Sequence, residues 1–252
     1  MKQQVLHKRR RFKESNVLFK SEHPDAIAAA IRAITFHRAK LETYISHNMG
    51  FTETLHSYPV NPDAPQIIKT MSESTLPFNV GPMAAVAGVL ADLAVESMIK
   101  NKARIAIVEN GGEISAISSE PFTVGLYAGQ NLLSTEIGFQ IDPSECPIGI
   151  ATSSATVSHA LSFGEADAVT VFASTSGVAD AAATAICNSV RGTNIPRSIE
   201  KSFEFIKTID HLIRGVLIVR GDYVGSVGRL SRLINISQDL DGKNFINRFF
   251  TV

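Results

Sequence analysis

The sequence predicts a mixed α/β protein, a layered sheet with helices packed on it and no regular βαβ repeat. Three observations lead there. Hydrophobic residues make up 44% of the 252 residues and charged residues 19%, enough apolar material for a sizeable core. Helical stripes and short β-rich runs interleave, but without the strand–helix alternation of a doubly wound sheet. Near the C-terminus, Gly221-Asp222 is a Gly-first two-residue turn between two β-rich runs, a hairpin signal. The length fits one large domain or two small ones.

The elements follow in order. The basic run Lys8, Arg9, Arg10, Arg11 and Lys13 reads as a solvated strand edge or a frayed terminus, since no second basic cluster supports an anion patch. His23-Pro24-Asp25 starts a helix with proline at its first position. Ile27, Ile31, Ile34, Leu41 and Ile45 then form one stripe, carrying the helix to about residue 47. Tyr58 to Pro65 holds three prolines and reads as loop, with a possible subdomain seam near 58–66. A Gly81-Pro82 turn precedes an Ala-rich helix to about residue 100. Strands are expected at 104–108, 114–117, 122–128, 137–141, 147–152 and 167–173, then helices at 178–190 and 198–209 and the hairpin strands at 215–220 and 223–227.

Composition also bounds function. Lys plus Arg and Asp plus Glu each total 24, so the chain is formally neutral and a poor candidate for bulk nucleic-acid binding. The N-terminus lacks the apolar region of a signal peptide. Leu76 to Ala91 is interrupted by Pro77, Asn79, Gly81 and Pro82 and reads as too short to span a bilayer. Cys146 and Cys187 make no disulfide framework. A cytoplasmic protein without membrane or nucleic-acid partners is expected, with a homodimer as the base-rate assembly.

Several residues have the chemistry of a site. Asp180 and Thr184 are four apart on an expected helix and share a face, which Cys187 and Asn188 continue. A carboxylate and a hydroxyl at that spacing can hold Mg²⁺ or Ca²⁺; equally, Asp180 can complement the helix dipole while Thr184 bonds back to the main chain. Asn110-Gly111-Gly112-Glu113 follows a strand and can admit a ligand or form an ordinary turn. The stretch 149–188 is rich in Ser, Thr, Ala and Gly, as in a phosphate-binding backbone or a tightly packed layer. His159 in that stretch would titrate near neutrality as a general acid or base, or serve as a hydrogen-bonded structural residue. Cys187, in an Ala-rich helix, reads as a buried thiol.

Four segments in order, VGPMAAVAG (80–88), VENGGEI (108–114), ATSSATVSHALSFGEADAV (151–169) and ADAAATA (179–185), resemble a compact ApbE-like family, a relative of the ApbE flavin transferases with their NAGGD, TSG and ADALATA motifs. The resemblance covers roughly residues 8–230 and implies one ApbE-like domain over 1–252. It implies Mg²⁺ held by Asp180, Thr184 and the Pro82 carbonyl. Asn110, Gly111, Gly112, Glu113, Thr152, Ser153 and Ser154 would lie at a flavin (FAD) site, and His159 at the transfer chemistry. The chain also departs from the pattern. Ala85-Val86-Ala87-Gly88 stands where ApbE proteins carry Lys-Gly-Tyr-Ala, Ala155 replaces an acidic residue, and the segment from His159 to Asp167 is short. Two readings follow. One is a metal-dependent enzyme of phosphoryl- or nucleotidyl-type transfer or hydrolysis on a small phosphate or flavin ligand. The other is a non-catalytic accessory protein of sulfide assimilation and sulfur amino-acid synthesis, with Cys187 as the thiol to probe.

Overall fold

The computed structural model describes residues 4–13, 15–126, 137–155, 163–235 and 249–251. In chain order the elements are β1 (Leu6–Phe12), β2 (Ser15–Ser21), α1 (Pro24–His47), α2 (Met49–Glu53), α3 (Gln66–Thr75), α4 (Val86–Lys100), β3 (Ile105–Asn110) and β4 (Glu113–Ser118). There follow β5 (Phe122–Gly125), β6 (Ile137–Ile141), β7 (Ile148–Ser153), β8 (Ala168–Ala173), α5 (Ser176–Ser189), α6 (Ile195–Ile209), β9 (Ile213–Arg220), β10 (Tyr223–Gly228), β11 (Arg232–Asn235) and β12 (Phe249–Thr251). A one-turn 3₁₀ helix, Pro82–Ala85, leads into α4.

Nine strands form the main sheet in the order β1-β2-β3-β4-β7-β8-β9-β10-β12, and β11-β6-β5 form a small second sheet. Every main-sheet pair is antiparallel except β10 with β12. This is the mixed α/β layering expected, with no βαβ rhythm. Alternation along each strand sorts side chains between two faces. Ile105 and Ile107 of β3 face the small sheet, while Ala106 and Val108 face α1 and α4. Likewise Ile148 and Ile150 of β7 join the small-sheet side and Ala151 joins the helices. Phe172 of β8 meets Phe139 of β6 edge-on at 4.8 Å between centroids, an aromatic pair that ties the two sheets together.

The basic run is an exposed strand, β1, at the sheet's edge, where closely spaced charge discourages edge-to-edge pairing. Tyr58, Val60 and Ala64 of the proline-rich loop pack against the largest apolar cluster, and Ser72 Oγ donates to the Tyr58 carbonyl at 2.6 Å. Helix α3 was not foreseen: it is short, and its stripe of Ile67, Ile68 and Met71 follows directly on the prolines. One continuous helical stretch, Pro82–Lys100, which overlaps only the second half of the stretch 76–91, is long and apolar enough to cross a membrane by length and composition. Its Ala91, Ala94 and Met98 are fully buried against α1 and the sheet, as in a core helix.

Candidate functional site

The site forms where the first turns of α4 and α5 cross. At Gly88 a Cβ would lie 2.4 Å from the Ser176 carbonyl oxygen, so only glycine lets the two backbones approach this closely. At the crossing each helix donates amides to an acid of the other. The Gly88 N–H donates to Asp180 Oδ2 at 3.0 Å. One turn beyond Gly88, Asp92 accepts from the N–H groups of Ser176, at 2.9 Å, and Gly177, at 2.8 Å, first-turn donors of α5 that have no partner within the helix.

The β3–β4 hairpin comes against the same crossing. Gly111 and Gly112, with φ of 76° and 118°, make the two-residue turn, a conformation that favours glycine. Asn110 and Glu113 face each other across it in register. Asn110, almost fully buried, donates from Nδ2 to the Ala87 carbonyl at 3.0 Å and so pins the hairpin to the start of α4. Burial pushes the Glu113 carboxyl well above its ordinary range, and the charge of Asp180 pushes it further. Burial likewise raises Asp180, to about 7, opposed by the Gly88 N–H and reinforced by the charge of Asp92. Burial also raises Asp92, against the pull of the Ser115 hydroxyl and the α5 amides. Among the described residues no Lys, Arg or His forms an ion pair with any of the three.

Not all the residues singled out from the sequence converge. Asp180, Asn110 and Glu113 do. Thr184 sits half-buried one turn along α5 from Asp180, and among the described residues its hydroxyl makes no bond back to the helix. Pro82 is buried in the 3₁₀ turn, which packs on α5. Ser154 is buried, and Ser153 lies on the helix-facing side of β7 by alternation from Ala151. Thr152 points the other way. Its Oγ1 shares a hydrogen bond with Thr170 Oγ1 at 2.9 Å, and together with Gly112 it lines a cavity of about 320 Å³ between the two sheets. His159 lies outside the described residues. Cys187 is fully buried in the core, although it follows Asp180 on the same helix.

Asp92 was missed. Its signal was present, a carboxylate alone within the apolar helix run AVAGVLADLAV, which no solvated face explains. Among the described residues no group of three or more His, Cys, Asp or Glu side chains is placed to hold a metal ion, so a cation at Asp180 would rely on hydroxyl, carbonyl and water oxygens as well.

The family model described as AbpE bacteria matches residues 3–204. A UPF0280 protein of Methanococcus vannielii is 41% identical over 227 residues, covering 88% of this chain and 90% of its own. A UPF0280 protein of Methanosarcina barkeri is 42% identical over 222 residues, covering 88% and 86%. Among solved structures, the flavin transferase ApbE from Vibrio cholerae superposes with a TM-score of 0.54 at 14% identity, covering 85% of this chain and 93% of that one. The apo flavinyl transferase ApbE of Pseudomonas stutzeri gives 0.57 at 15% identity, covering 86% and 92%. At that identity the likeness shows the shared fold. With four-fifths of its length matched by the family model and close relatives along most of the chain, the protein belongs to the AbpE bacteria family and has the ApbE-like fold.

Proposed function

We propose that the chain binds a small phosphate-bearing ligand of flavin-dinucleotide type together with a divalent cation at Asp180, and acts on it by phosphoryl- or nucleotidyl-type transfer or hydrolysis. The observation that carries this is the pair of recessed acids Asp180 and Glu113, each raised by burial, with no basic side chain ion-paired to either among the described residues. Recessed carboxylates stay ionised at neutral pH only where a positive charge or strong donors offset them. The donor set suits Mg²⁺: a carboxylate oxygen of Asp180, the hydroxyl of Thr184 one turn on, the carbonyl of Pro82, and water. When bound, the cation polarises a phosphoryl oxygen.

The chain's own groups do the rest. The Gly88 N–H fixes one oxygen of Asp180. Asn110 holds the hairpin in place, so that the amides of Gly111 and Gly112 and the hydroxyls of Ser153 and Ser154 can take phosphate oxygens. His159 moves the proton. The cavity between the sheets, bounded by Gly112 and Thr152, offers apolar walls at Phe122, Val124 and Phe139 to a planar ring. The flavin transferase names of the two structural neighbours support the flavin-type ligand. With Ala85-Val86-Ala87-Gly88 here and no lysine in the segment, more of the transition-state charge falls to the cation.

Calorimetry of metal-stripped protein with FAD, with and without Mg²⁺, tests this. Binding should require Mg²⁺ and weaken at least tenfold in Asp180→Asn, about 1.4 kcal/mol. Equal affinity in the variant, or no binding under either condition, overturns the reading.

A further inference from the structure

The opposite face of the main sheet carries a second polar cavity, far from the acids in character. Arg214 near the start of β9 and Arg229 just after β10 lie side by side, the Arg229 N–H donating to the Arg214 carbonyl at 2.7 Å. Both side chains line a cavity of about 410 Å³. Arg214 is held in position: its guanidinium donates to the Glu145 carbonyl and, at 2.6 Å, to the Pro147 carbonyl. Arg229 is exposed, and among the described residues neither arginine is ion-paired with an acid.

The one acid in the wall, Glu145, is already engaged. Its Oε1 accepts from Ser231 Oγ at 2.6 Å and its Oε2 from the Asp142 N–H at 2.9 Å. Two guanidinium groups therefore face one carboxylate, a net positive charge, and adjacent like charges on paired backbones repel. An anion between them relieves that repulsion. Beneath the arginines, Ile148 and Phe172 form a buried apolar floor, and Ser144 lines the wall. The planar fork of arginine matches carboxylate and phosphate oxygens.

We propose that this cavity is a small-anion site, taking a ligand with one carboxylate or phosphate head and a compact apolar body, with Arg229 as the residue that captures it. The cavity shares no lining residue with the cavity bounded by Gly112 and Thr152, and none with the group of Asp180, Glu113 and Asp92, so it is not an extension of the Asp180 site. The wall also includes Cys146, half-buried, whereas Cys187 is fully buried, so alkylation reads this cavity alone.

Benzoate and inorganic phosphate, titrated separately, test the assignment and separate the two head groups. At least one should bind saturably and slow iodoacetamide alkylation of Cys146. Arg229→Gln, checked for an unchanged melting temperature, should weaken binding at least tenfold and abolish the protection. Asp180→Asn should leave both unchanged. Failure of both probes to bind, or wild-type affinity in Arg229→Gln, overturns the proposal, whatever the outcome with Mg²⁺ and FAD.

Discussion

Asp180 is raised to about 7 because burial and the charge of Asp92 outweigh the hydrogen bond from Gly88. The consequence for stability has a definite sign. A native pKa near 7 against an ordinary 3.8 means that the folded chain holds more protons than the unfolded chain between those values. Stability of the metal-free protein is therefore lost through Asp180 as pH rises from about 4 to about 7, and the loss is complete above that window. Thermal melts in EDTA should show the wild type losing ground to Asp180→Asn across that range. A difference that stays constant with pH contradicts the assignment. At this scale the sequence was partly legible. The four-residue spacing marked Asp180 and Thr184, and the Asn-Gly-Gly-Glu turn marked Asn110 and Glu113. Spacing says nothing of depth, however, so the proximity of Glu113 to Asp180 and the bridging role of Asp92 emerge only when the helices are crossed.

The crossing of α4 and α5 is the element on which the site depends. Gly88 permits it, and Asp92 secures it through two amides of α5. Gly88→Ala would place a methyl group 2.4 Å from the Ser176 carbonyl oxygen, a contact that must be relieved by moving one helix. Overpacking of this kind costs about 1–3 kcal/mol, or a melting-temperature drop of roughly 2–12 °C for a chain of this size. The same shift should weaken Mg²⁺ binding, because the amide that fixes Asp180 moves with Gly88. A variant with unchanged melting temperature and Mg²⁺ affinity would show that the helices cross more loosely than described. Element types and positions were largely readable. The helix from Pro24 and the hairpin at Gly221-Asp222 lie where periodicity and turn chemistry put them. The basic run, which reads as a solvated strand edge or a frayed terminus, is an edge strand paired with β2 through its backbone groups.

Over the whole molecule, the main sheet separates two chemistries. Its helix-covered face gathers the recessed acids, and its other face, under the small sheet, holds the two cavities lined by Thr152 and by Arg229. That division rests on pairings between strands remote in sequence, β4 with β7 and β6 with β11, and local patterns do not specify these. It explains why Thr152 and Ser153, adjacent in the chain, serve different surfaces. Crystals soaked in Mn²⁺ as a stand-in for Mg²⁺ test the proposed divalent cation at Asp180 through an anomalous difference map. A peak is expected at coordinating distance, about 2.0–2.3 Å, from a carboxylate oxygen of Asp180, absent in Asp180→Asn. A map with no peak beside Asp180 at saturating Mn²⁺ would contradict it, and would leave Asp180 and Glu113 as a proton-sharing pair in place of a metal site.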